Sequence, residues 1–139
     1  MRFVDASLFL YAYLKPKKAV TSEVAEMKKA ARNIVKRIDS GEKVATSSAH
    51  VSEVANILEA SMPLQGGYQI MRDLIHSPTV SMFEPTRGNY MDAVEVAQEV
   101  SVGLNDGVAY VLMKENGMDE IYSFDKHFDR FKDVRRIRV

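Results

Sequence analysis

The sequence predicts an α/β fold with a central, mainly parallel sheet, on three observations. Short apolar runs of strand character alternate with longer segments of helical period from one end of the chain to the other. No long linker, low-complexity tract or internal repeat interrupts the alternation. Two of the short runs end directly in an aspartate, Asp5 and Asp125, at the strand ends where parallel sheets collect ligands. With 139 residues and 46% hydrophobic content, one domain spanning 1–139 with a substantial core is expected.

Arg2-Phe3-Val4 reads as a short buried strand broken by Asp5, after which Ala6–Leu14 runs on apolar to Pro16. Asp5 is a preferred helix N-cap, with Ser7 beside it, and it is also placed for chemistry. In Ala19–Asp39 the residues Val20, Val24, Met27, Ala31, Ile34, Val35 and Ile38 recur at the spacing of one helical face, and Ser40-Gly41 ends the helix. Lys28, Lys29, Arg32, Lys36 and Arg37 are expected on its solvated face, with contact to phosphate as the lesser alternative.

Lys43–Thr46 is the second strand. The helix Ala49–Ser61 follows, stopped by Pro63 and apolar along Val51, Val54, Ala55 and Leu58. Glu53 lies roughly opposite that face, between Ala49 and Ile57, with no basic partner four residues away. Exposed helical glutamates are commonly solubilising charges, but a helix apolar on both faces buries both, and an acid there needs a metal, a proton or water.

Leu64–His76 is helical despite Gly66-Gly67, and Tyr68, Ile70, Met71, Leu74 and Ile75 are expected to pack. Thr79–Phe83 alternates between Pro78 and Pro85 and suits a third strand. A helix runs from Thr86 towards Gly103, with Asp92, Glu95 and Glu99 on its wet side. Leu104–Gly117 is another, opened by Asn105-Asp106 and buried along Val108–Met113. Asn105 suffices as its cap, and Asp106 gains from the helix dipole. Ile121–Phe124 is the fourth strand, ending in Asp125. Arg136–Val139 is an edge strand on which Arg135, Arg136 and Arg138 guard the edge or, less simply, form a second basic patch.

Composition removes several classes of function. Nineteen basic and 19 acidic residues balance, so a polyanion would have to be held by a local patch or a metal. There is no cysteine, hence no disulfide, thiolate metal site or thiol nucleophile. The N-terminal apolar run is too short to span a bilayer and no small-residue cleavage site follows it. A soluble, cytoplasmic protein without a membrane partner is therefore expected. Gly-rich phosphate loops, dinucleotide fingerprints and paired metalloprotease histidines are all absent. A haloacid-dehalogenase-type phosphatase would need a second Asp where Ser7 stands. His50, His76 and His127 are scattered and read as surface or packing residues.

What remains is acidic. Asp5 and Asp125 end strands, and Glu53 and Asp106 sit on helices whose remaining surfaces are unusually apolar. Carboxylates gathered at one sheet edge repel each other unless a cation is present, and Mg²⁺ or Mn²⁺ takes oxygen ligands while bridging to phosphate. Such a metal makes a nucleophile of bound water, so no Ser, Cys or His nucleophile is required.

Four segments carry a family resemblance: Phe3-Val4-Asp5-Ala6-Ser7, Ser52-Glu53-Val54-Ala55-Asn56-Ile57, Asn105-Asp106-Gly107-Val108-Ala109 and Ser123-Phe124-Asp125-Lys126-His127-Phe128. In order and spacing the chain resembles the PIN-domain nucleases, and within them the VapC-like toxins of type II toxin–antitoxin pairs. The resemblance covers essentially the whole chain; each motif is short, and the specificity lies in the four together. It implies a PIN-like three-layer α/β/α fold with a mainly parallel five-stranded sheet. It also implies metal-dependent endoribonuclease activity on RNA with Mg²⁺ or Mn²⁺ as cofactor, a small antitoxin partner and a homodimer.

Carried over residue by residue, Asp5, Glu53, Asp106 and Asp125 become the catalytic, metal-ligating or water-orienting acids. Ser7, Asn105 and Ser123 support them, and Asp129 stays outside the site. Ala6 departs from the commoner Thr or Ser at that position. A housekeeping RNA-processing nuclease and a non-catalytic PIN-like module that binds RNA or protein are the rival readings.

Overall fold

A computed structural model describes residues 1–15 and 19–137. Its elements are β1 (Arg2–Val4), α1 (Ala6–Tyr13), α2 (Ser22–Asp39), β2 (Val44–Ser47), α3 (Ser48–Ser61) and α4 (Leu64–His76). These are followed by β3 (Val80–Phe83), α5 (Arg87–Val100), α6 (Leu104–Glu115), β4 (Glu120–Tyr122), a single 3-10 segment (Lys126–Arg130) and β5 (Arg135–Ile137). The expected breaker Pro16 and the last two residues of the expected edge strand, 138 and 139, lie outside the described residues.

Side-chain caps set the helix starts. Thr21 accepts the Val24 N–H, so α2 opens at Ser22 rather than at Ala19. Ser47 accepts the His50 N–H and turns β2 directly into α3. Thr86 and Asn89 form a reciprocal capping box at the head of α5. After α5, Ser101 takes the left-handed conformation at φ 60° and Gly103 becomes the N-cap of α6. Asn105 is therefore not the cap that the sequence suggests; it lies inside the first turn, which frees its carboxamide for another partner.

The five strands are all parallel, in the order β3-β2-β1-β4-β5. The chain winds outward from β1 through β2 to β3, then crosses to the far side of β1 for β4 and β5. The switch point thus falls between β1 and β4. Helices α1 to α4 cover one face over a core that includes Val4, Leu8, Ile34, Val54, Leu58 and Tyr122. Helices α5 and α6 with the 3-10 segment cover the other, over Phe3, Ala93, Val108, Met113, Ile121 and Phe128. This is the expected three-layer α/β/α arrangement, and every acid-bearing strand end opens on the same edge of the sheet.

One basic assignment changes, and for a second the lesser alternative falls away. Lys28 does not lie on the solvated face of α2: it is 7% exposed, and its ammonium donates to the carbonyls of Tyr11, at 3.1 Å, and Leu14 at the end of α1. Burial lowers its pKa, with Arg32 adding repulsion. At the edge, the Arg136 side chain is only 5% exposed and grips Asp129 through two nitrogens, while Arg135 pairs with Glu120. These arginines are tied into β5 and its surroundings and do not form a free basic patch. Among the described residues, no helix is long and apolar enough to cross a membrane.

Candidate active site

Asp5 leaves β1 with its backbone still in the sheet, its N–H bonded to the Tyr122 carbonyl of β4 at 3.1 Å. Its carboxylate does not cap α1. Instead Oδ2 accepts from Ser7 Oγ and from Ser123 Oγ, each at 2.8 Å. Both hydroxyls are themselves acceptors for backbone N–H groups, Ser7 for Phe124 and Ser123 for Asp125. Each N–H takes one lone pair of its hydroxyl, and because an ionised carboxylate only accepts, each hydroxyl donates its proton to Asp5, so a 5% exposed carboxylate is held in one orientation. β4 stops at Tyr122 and not at Phe124, and the backbone N–H groups of Phe124 and Asp125 bond to the Ser7 and Ser123 hydroxyls instead of continuing the ladder.

The other three acids arrive from separate elements. Asp106, in the first turn of α6, accepts the Gly103 N–H at 3.3 Å, so part of its capping role is real. Asp125 accepts the His127 N–H at 2.9 Å and nucleates the 3-10 segment. Glu53 projects from α3, and its Oε1 accepts from Asn105 Nδ2 at 2.8 Å. All four acids line one open cleft of about 490 Å³, together with Ser7, Leu10, Gly103, Leu104 and Asn105. No Lys, Arg or His is among those lining residues.

Uncompensated charge in a partly desolvated cleft has a visible consequence. Burial, reinforced by Asp5 and Asp125, pushes the Asp106 carboxyl up to about 6; its bond to Gly103 and the neighbouring His127 pull the other way. A divalent cation would relieve this repulsion, and a donor set made of hard oxygens suits one.

One histidine sits differently from the sequence expectation and another as expected. His127 belongs with the acids: its Nδ1 is 3.3 Å from Asp125 Oδ1 and 3.8 Å from Asp106 Oδ2. The one available signal was its place two residues after Asp125, where a side-chain-capped turn folds the imidazole back over the carboxylate. His50 does pack, 1% exposed and edge-on to Phe3 with ring centroids 5.2 Å apart. Its Nδ1 meets Ser47 Oγ at 2.6 Å and its Nε2 is buried without a hydrogen-bond partner. Burial lowers its pKa against the pull of Asp5, Glu53 and the Asn105 backbone.

Comparison with known proteins agrees with this architecture. Among solved structures, the chain superposes on the VapC20 toxin of Mycobacterium tuberculosis, described as cleaving the sarcin–ricin loop, with a TM-score of 0.78 and 17% identity over 100% of both chains. It is similar in fold to VapBC2 of Rickettsia felis, solved with a fragment of promoter DNA, at TM-score 0.68 and 11% identity, covering 98% of this chain and 96% of that one. FitAcB of Neisseria gonorrhoeae matches at TM-score 0.61 and 15% identity, covering 99% and 96%. No curated protein matches the sequence. The family model described as PIN domain matches residues 2–134, nearly the whole chain including all four acids, and the chain belongs to the PIN domain family.

Proposed function

We propose that the protein is a metal-dependent endoribonuclease of the cytoplasm that hydrolyses RNA phosphodiester bonds and serves as the toxin of a toxin–antitoxin pair. The observation that carries this reading is the convergence of Asp5, Glu53, Asp106 and Asp125 on one cleft at the sheet's switch point, with no lysine or arginine among its lining residues. These four acids would hold Mg²⁺ or Mn²⁺ and the waters around it. A bound divalent ion supplies a water of lowered pKa and stabilises charge on the phosphoryl oxygens. The protein's own part is orientation. Ser7 and Ser123 fix Asp5 through Oδ2, leaving Oδ1 for the cleft, and Asn105 steadies Glu53 through Oε1, leaving Oε2 to accept a proton from water.

Family membership supports the nuclease reading, and the fold likeness to toxins solved from toxin–antitoxin systems supports the toxin reading. A groove lined by Leu10, Tyr11, Leu14, Val24 and the stem of Lys28 opens beside the cleft, with Leu10 lining both, and suits an apolar segment of a small antitoxin. Leu64, Tyr68 and Ile75 form an exposed stripe along α4, which supports a homodimer.

The test is cleavage of structured and unstructured RNAs by the purified protein in Mg²⁺, Mn²⁺ or EDTA, with Asp5→Asn alongside. Cleavage that needs both metal and Asp5 is expected. Full activity in Asp5→Asn, or in EDTA, overturns the assigned site. Absence of any metal-dependent turnover in the wild type favours the binding-module reading instead.

A further inference from the structure

We infer that His127 is a direct ligand of the catalytic ion, so that the site takes a first-row transition dication such as Mn²⁺ in preference to Mg²⁺. This rests on the metal-nuclease reading above and adds to it an identified nitrogen donor and a metal preference.

The four acids are not equivalent as ligands. One donor atom each from Asp106, Asp125 and His127 lies within 4.8 Å of the others. Asp5 and Glu53 line the same cleft but do not join that cluster, and it is this placement that separates them, since each of the four acids has one oxygen engaged by a hydrogen bond. Ligands about 2.1 Å from an octahedral ion stand about 3 Å apart when adjacent and about 4.2 Å apart when opposite. The separations of His127 Nδ1 from Asp125 Oδ1, 3.3 Å, and from Asp106 Oδ2, 3.8 Å, fall between those bounds. The imidazole therefore does not have to swing in from solvent.

The turn that presents it is part of the site. Asp125 Oδ1 accepts the His127 N–H, so the same carboxylate that faces the ion fixes the backbone carrying the ring. The ring side chain is half exposed, which leaves room for water and substrate on its outer side. A nitrogen donor matters for selectivity because Mg²⁺ keeps to oxygen and water, whereas affinity for imidazole rises from Mn²⁺ along the first row. These three donors, two oxygens and one nitrogen, leave the remaining positions to the free oxygens of Asp5 and Glu53, directly or through water, and to a phosphate oxygen.

The experiment compares wild type with His127→Ala, a substitution that retains the backbone N–H to Asp125, in the full chain stripped of metal. Bound Mn²⁺ is followed by pulsed EPR, and Mn²⁺ and Mg²⁺ affinities are measured by titration and mutual competition. The wild type is expected to show ¹⁴N modulation from a coordinated imidazole, and His127→Ala to lose it. The variant's Mn²⁺ affinity should fall on the order of tenfold, with its Mg²⁺ affinity nearly unchanged. His50 and His76 remain in that variant, so a nitrogen signal that survives there overturns the assignment. Bound Mn²⁺ without nitrogen modulation, or equal losses for both ions, overturns it while leaving the nuclease reading in place. If no divalent ion binds the wild type, both fall. The variant's melting temperature without metal, expected to match the wild type, shows that any loss is not one of folding.

Discussion

Ser123 donates to Asp5 at 2.8 Å across a sequence separation of 118 residues, and the same hydroxyl accepts the N–H of Asp125 at 2.9 Å. One side chain thus ties the acid that ends β1 to the acid that follows β4.

Ser123→Ala removes both bonds and leaves the Asp125 N–H without its acceptor. The expected stability loss is about 1–2 kcal/mol, the ordinary cost of an unpaired, partly buried group. The larger effect should be on turnover, roughly tenfold or more, because Asp5 loses one of the two hydroxyls that orient it. Thermal melts and RNA cleavage rates, measured together, separate the two effects; an undiminished rate would mean that Ser7 suffices to hold Asp5.

Asp106 makes the metal-free protein sensitive to pH. Its folded-state pKa of about 6 lies above its ordinary value of 3.8, so between those pH values the folded state binds more protons than the unfolded one. Stability from this group is therefore greatest at low pH and declines as pH rises through 6. The shift corresponds to roughly 3 kcal/mol as a ceiling, and partial solvent access reduces this to about 1–2 kcal/mol. Asp106→Asn should abolish this contribution and melt higher than wild type at pH 7 in EDTA. Paired melting curves from pH 4 to 7.5 check it, and a difference between the two proteins that does not change with pH would refute the charge-repulsion account.

Such couplings mark where sequence reading stops. Strand and helix alternation, the acids at the ends of β1 and β4, and the buried character of α6 follow from periodicity, because these depend on neighbours within a few residues. Asn105 reads locally as a cap, since nothing near it announces that Gly103 takes that role and that Glu53, 52 residues away, claims its amide. Lys28 looks solvated for the same reason. Its partners are carbonyls at the end of another helix, and a charge on the margin of an amphipathic face gives no sign of which carbonyls it will meet. His127 looks like an ordinary surface residue until the turn at Asp125 closes.

Gly107 sets the distance between α5 and α6. A Cβ there would stand 2.5 Å from the Ala93 carbonyl oxygen and 3.2 Å from the Ala97 methyl group, and the first of these is backbone that cannot step aside. Gly107→Ala should cost about 2–3 kcal/mol despite the better helix propensity of alanine. Because Asp106 precedes it, the head of α6 should move and metal affinity should fall as well. Chemical denaturation with a parallel Mn²⁺ titration tests both; a stabilised variant would show that the two helices can separate freely.

Lys28 ties α2 to the last turn of α1, whose first residue follows Asp5. The carbonyls it satisfies are among those that a helix C-terminus leaves without intrahelical partners, and a cation there also meets the negative end of the helix dipole. Lys28→Met keeps the apolar stem and removes only the ammonium, so its expected cost of about 1–2 kcal/mol measures those bonds. Lys28→Ala should cost more, because the stem that lines the groove beside Leu10 is lost too. Cleavage by Lys28→Met should stay within about twofold of wild type, since the serine hydroxyls hold Asp5 independently of the far end of α1. Denaturation midpoints and cleavage rates for the two variants decide it: equal stability losses would assign Lys28's contribution to its charge alone, and a collapse of activity in Lys28→Met would show that α1 positions Asp5 along its whole length.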